Sequence, residues 1–140
     1  MRFTIRPYQA TDLPALHAIN TASEPGVGAV SKAALGAIIS QGDCHVATDP
    51  NDAPIGFLLT LGPDADYASK NYLWFDERFE DYAYVDRIAI APDLRGQGVG
   101  RLLLDQILDY ARENGMKIMP LCPFARSVFD KDESIRDLMK

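Results

Sequence analysis

Apolar residues recur along this chain in two rhythms, and the helical one is clearest near the middle. Val99, Leu102, Leu103, Ile107, Leu108 and Ala111 return at three- and four-residue spacing, while Arg101, Asp105, Asp109 and Arg112 take the other positions. The pattern predicts an amphipathic helix over 98–114, stopped by Asn114-Gly115. Shorter alternating or continuous apolar runs predict strands over 3–6, 44–48, 55–61, 83–90 and 117–121. The second and third flank Asp49-Pro50-Asn51-Asp52, a hairpin signal. Asp12 can cap a helix reaching about Ala22 through Leu13, Leu16, His17 and Ile19, and Ser31 can cap another that Gly42 ends. Short helices are expected from Ala125 and near Ser134. Helix and strand therefore mix without the regular alternation of a doubly wound sheet, which gives an α/β (α+β) class, and the length predicts one domain over 1–140.

The junction between the strand 83–90 and the long helix carries the most chemistry. Ala91-Pro92 breaks the strand, and Arg95-Gly96-Gln97-Gly98-Val99-Gly100-Arg101 opens into the helix. The first amides of a helix lack intrahelical acceptors and sit at the positive end of its dipole, so they attract anions. Glycines clear side chains from the approach and permit left-handed backbone. A tight turn alone needs one or two glycines and has no use for flanking arginines. Phosphate is the expected ligand. A P-loop would need Gly-Lys-Ser/Thr, and a dinucleotide fold would need G-x-G-x-x-G near the chain start. Neither pattern is present.

Arg95-x-x-Gly98-x-Gly100 after a strand ending in Ala91-Pro92 resembles the pyrophosphate-binding motif of the GCN5-related N-acetyltransferases. Tyr84 to Ile90 resembles that family's central strand, and the opening Thr4-Ile5-Arg6-Pro7 through Asp12-Leu13 its first strand and helix. The likeness covers residues 2 to about 115. After it, Met116 to Phe129 departs from the common pattern and resembles a group of very small acetyltransferase-like proteins with a Pro-x-Cys-Pro-Phe segment, here Pro120 to Phe124.

The resemblance implies a mostly antiparallel central sheet flanked by helices and splayed at the central strand. It implies acetyl-CoA or coenzyme A as co-substrate and no metal. Backbone groups of Ile88, Ala89 and Ile90 would take the pantetheine arm, and Arg95, Gly96, Gln97, Gly98, Val99, Gly100 and Arg101 the pyrophosphate. The acceptor would be a primary amine of a small molecule or peptide, acetylated directly in a ternary complex. A lysine-like amine, with pKa about 10.4, must first lose a proton. Side chains alternate along a strand, so Asp86 and Tyr84 are base candidates on the face of Ile88. Asp86 in a strand is equally read as an ion pair. Cys122, before Pro123, could protonate the leaving thiolate or accept the acetyl group, or could simply be core. Tyr72, Trp74, Phe75 and Phe79 beside several acids could bind a cationic amine, or pack on the sheet. A coenzyme-A-binding module with little or no transferase activity, and a scaffold domain, stand as the alternatives.

Composition adjusts this only at the margins. With 20 acidic and 14 basic residues the net charge is −6, which argues against nucleic acid or an anionic membrane as partner. Cys44 and Cys122 have no metal-ligand spacing. The first residues form no apolar stretch, so a cytoplasmic protein without a leader or membrane span is expected. The incomplete C-terminal sheet would favour a homodimer through an exposed edge strand.

Overall fold

The computed structural model describes residues 2–24, 27–61, 82–119 and 123–139. Its strands form a five-stranded sheet in which spatial order follows chain order: β1 (Thr4–Pro7), β2 (Asp43–Thr48), β3 (Pro54–Leu61), β4 (Tyr82–Ile90) and β5 (Lys117–Met119). The first four pair antiparallel, and β5 joins β4 in parallel. A parallel partner needs a crossover, supplied here by the long helix α3 (Val99–Asn114).

Helices cover both faces. On one side lie α1 (Leu13–Ala22) and α2 (Lys32–Ile39), whose Leu16, Ile19, Leu35 and Ile39 pack on Val46, Phe57, Leu59 and Ala89. On the other lie α3, α4 (Pro123–Lys131) and a 3-10 turn over Glu133–Leu138. There Leu103, Leu104, Ile107, Phe129 and Ile135 pack on Leu58, Val85 and Ile88. Each fully buried leucine contributes roughly 1.5–3 kcal/mol by leaving water. No helix among the described residues is long and apolar enough to cross a membrane.

Local signals explain most ends. Ser31 Oγ accepts from the Ala34 amide 3.1 Å away and starts α2. Gly115, at φ 64°, ends α3 in the left-handed conformation that glycine tolerates. Two expectations change. Asp12 does not cap α1 with its side chain, because Arg6 grips both carboxylate oxygens at 2.8 Å and the Gln9 amide takes one of them. That pairing draws the Asp12 carboxyl below the usual carboxylate range, the Arg6 hydrogen bond being the main cause. In α3, Leu102 is 43% exposed while Leu104 is fully buried. The apolar stripe is centred on Leu103, Ile107 and Ala111, and 100° per residue carries Leu102 to the far side. The strand expected over 117–121 is observed over Lys117–Met119, residues 120–122 lying outside the described ones.

Candidate active site

The site grows from the edge of β4. Among the described residues, β4 is paired with β5 at Tyr82, Ala83 and Tyr84, the last facing Met119. The chain enters α4 at Pro123, so this parallel register runs out before Ile88. On the other side β3 continues to Ile90, with Ala91 donating to the Ile55 carbonyl at 2.8 Å. Antiparallel hydrogen bonds alternate, so Ala89 turns its peptide groups toward β3, while Ile88 and Ile90 turn theirs toward the uncovered edge. Of the three residues expected to offer backbone groups, Ala89 does not, because β3 uses them. The Ile90 carbonyl already accepts from Arg95 Nε at 3.1 Å.

Past Ile90 a 3-10 turn (Pro92–Leu94) leads to the glycine loop. Gly96 and Gly98 hold φ 81° and 85°, where an L side chain is strained, and a Cβ at either would meet nothing within 4 Å. Gly100 serves differently: its Cβ would lie 2.6 Å from Phe124 Cζ, so the missing side chain lets α4 lean onto α3. The first ladder bond of α3 runs from Leu102 N–H to the Gly98 carbonyl, leaving the Val99, Gly100 and Arg101 amides without intrahelical acceptors.

These pieces line a cleft of about 910 Å³ between the β4 edge, the glycine loop and α4, inside the ~300–1,000 Å³ typical of ligand sites. Ser23 and Val27 also line it, and Phe124, Val128, Lys131 and Asp132 form the wall contributed by α4 and the residue after it. The wall went unrecognised in the sequence because α4 is short. Its signal was the Phe124–Val128 spacing next to Lys131-Asp132.

The two arginines differ in posture. Arg95 reaches back to α1, donating to the Ala22 carbonyl and to Ser23 Oγ at 3.3 and 3.1 Å. Arg101 is shared between Asp105 at 2.9 Å and Asp132 at 3.0 Å. Both carboxylates raise its affinity for its proton, Asp105 most. Asp132 is held below the usual carboxylate range, first by Ser134 and then by Arg101.

Asp86 stands at an irregularity. The β3–β4 ladder passes from Leu59 opposite Arg87 to Thr60 opposite Val85, so Asp86 is an extra residue. The bulge resets the alternation: Val85 and Ile88, three apart, share the α3-side core. The simple parity that would align Tyr84, Asp86 and Ile88 is therefore interrupted. The Asp86 side chain, 4% exposed, accepts from Arg87 Nε at 2.6 Å. Arg87 is itself buried and donates to Asn20 Oδ1 and to the Gly28 carbonyl, tying the bulge to α1 and the segment after it. Tyr84 is 3% exposed. Cys122 and the aromatics Tyr72, Trp74, Phe75 and Phe79 lie outside the described residues. Cys44 is buried core, and burial pushes its thiol up to about 12.

Comparison with known proteins agrees with this geometry. Residues 58–138 match the model of the GCN5-related N-acetyl-transferase family. A streptothricin acetyltransferase of Streptomyces lavendulae is 30% identical over 76 residues, 52% of this chain but 38% of that protein. The chain thus matches well under half the length of this relative. The ribosomal-protein-S18-alanine N-acetyltransferase of Escherichia coli shares the fold at 20% identity and TM-score 0.64, over 93% of this chain and 76% of that one. The GNAT-like decarboxylase GphF, solved with isobutyryl-CoA, superposes at 23% identity and TM-score 0.61, over 78% of this chain and 59% of that one. With more than half its residues under the family model and its sheet and helices in the same arrangement, the chain belongs to the GCN5-related N-acetyltransferases.

Proposed function

We propose that this chain transfers an acetyl group from acetyl-CoA to a primary amine of a small molecule or peptide, with both reactants bound together. One observation carries the reading. The β4 edge at Ile88–Ile90, unpaired among the described residues, runs directly into the amides of α3 that lack intrahelical acceptors, within one cleft. An extended chain bearing amides and ending in a pyrophosphate matches that sequence of donors. Ile88 and Ile90 would hold the pantetheine, and Gly96 to Arg101 the phosphates, with Arg95 bracing the loop against α1. The isobutyryl-CoA bound by the GNAT-like decarboxylase supports a coenzyme A thioester as the ligand.

The thioester supplies an activated acetyl group. Transfer then needs an amine free of its extra proton and a proton for the departing thiolate. The peptide N–H groups at the β4 edge are fixed dipoles that can steady charge growing on a carbonyl oxygen, and joint binding supplies positioning. Asp86 would take the amine proton through water, with Tyr84 beside it on β4 and Cys122 giving its own proton to the departing thiolate. The names of the similar proteins include acceptors as different as a ribosomal-protein alanine and streptothricin. They support acetyl transfer without selecting an acceptor.

The Asp86–Arg87 pair favours a second reading, a coenzyme-A-binding module with little transfer. A carboxylate buried against an arginine is poorly placed to meet a substrate. Calorimetry with coenzyme A and a panel of amines followed by thiol release separate the two. Binding with amine-dependent thiol release is expected. Binding without release for every amine selects the module, and no binding at millimolar coenzyme A overturns both.

A further inference from the structure

The cleft contains an anion of its own. Asp132 stands on the wall facing the glycine loop, and its two oxygens do different jobs. Oδ1 accepts from the Ser134 amide at 3.0 Å and Ser134 Oγ at 2.6 Å, capping the last 3-10 turn. Oδ2 accepts from Arg101 at 3.0 Å. The other end of the Arg101 guanidinium meets Asp105 on the same helix. Arg101 therefore enters ligand binding with its charge already shared between two carboxylates. Lys131, the neighbouring cation of the wall, has no ion pair among the described residues.

We propose that Asp132 is an internal counter-anion that occupies Arg101 until a ligand phosphate displaces it, making Asp132 a charge-selective residue of the cleft. This rests on the cleft being the coenzyme A site. A carboxylate on the same chain competes at an effective concentration on the order of millimolar, so a dilute monoanion gains little by replacing it. A phosphate group, with more charge and more acceptor oxygens, does gain. The device would exclude small carboxylates from the glycine loop while admitting phosphorylated ligands.

Asp132→Asn is a clean probe, because the amide oxygen keeps the Ser134 cap while the amide nitrogen no longer attracts Arg101. Asp and Asn are comparable caps. The Arg101–Asp132 pair is partly exposed, with side chains 39% and 30% accessible. Its removal should tighten coenzyme A binding by about two- to fivefold at low salt and less at high salt. Pantetheine, lacking phosphate, should bind unchanged. Asp130→Asn, which alters a nearby charge outside the cleft wall, reports any general charge effect and should tighten binding less. In an Arg101→Met background the gain from Asp132→Asn should vanish. A thermal melt checks folding, and Asp132→Ser, which caps but cannot reach Arg101, repeats the test should the asparagine variant misfold. If the wild type binds coenzyme A and Asp132→Asn binds it equally or more weakly, or if Asp130→Asn matches its gain, the inference is overturned alone. If neither protein binds coenzyme A, the functional reading falls with it.

Discussion

Gly100→Ala should separate stability from binding at the glycine loop. The added methyl would sit 2.6 Å from Phe124 Cζ and 2.9 Å from Cε1, against a normal carbon contact of about 3.5–4.0 Å. The ring must withdraw by about 1 Å. Such overpacking costs about 1–3 kcal/mol in a core. Phe124 is 39% exposed, which allows the ring to yield and places the cost at the lower end. Against it, alanine gains up to about 1 kcal/mol of helix propensity over glycine, less in a first turn. The single variant should therefore unfold within about 1 kcal/mol of wild type in urea. In a Phe124→Ala background the clash is gone, and the same substitution should become neutral or stabilising. The double-mutant cycle should return about 1 kcal/mol of coupling, with coenzyme A affinity reduced wherever the displaced ring crowds the cleft. Additivity within about 0.3 kcal/mol would refute the assignment of Gly100 to Phe124 rather than to backbone conformation.

Three further predictions test other parts of the frame. Arg87→Met strands the buried Asp86 carboxylate and should cost about 3–5 kcal/mol in urea unfolding, with Asp86→Asn in the same chain recovering part; a loss under 1 kcal/mol would contradict the buried pair. Asp12→Asn should cost about 1.5–3 kcal/mol. Because Arg6 lowers the Asp12 pKa, that stability is present above the ordinary value near ~3.9 and lost as pH falls through the folded one. Acid melts of wild type should therefore steepen below about pH 4 where those of the variant do not. Leu104→Ala should cost about 2–5 kcal/mol and Leu102→Ser less than about 0.5, and equal effects would refute the orientation of α3.

Much of the fold was readable because its elements carry local punctuation: Ser31 opens α2, Gly115 closes α3, and the Asp49 turn joins β2 to β3. The glycine loop was readable for the same reason, since the left-handed backbone at 96 and 98 favours glycine. What escaped depends on partners far along the chain. The role of Gly100 is set by Phe124, and the state of Arg101 by Asp132. Leu102 and Leu104 are equally apolar, and only the surface under α3 chooses between them. The bulge at Asp86 is a matter of ladder register, which strand composition does not encode. Asp12 looked like a cap because Arg6, six residues earlier, left no trace of where it would reach.

The sheet's agreement between spatial and chain order has a kinetic consequence. From β1 to β4 each strand meets the next by antiparallel pairing. The β4–β5 pair closes across the whole of α3 and rests on three residue pairs. Among the described residues, loop-closure entropy is offset at that step by the fewest residue pairs of any strand pairing. The β5–α4 segment should therefore join late in folding and open first in the native state, ahead of the β2–β4 centre. The glycine loop is anchored to the early-forming half and the α4 wall of the cleft to the late one. Ligand entry can then proceed by a partial unfolding that leaves the anion cradle intact.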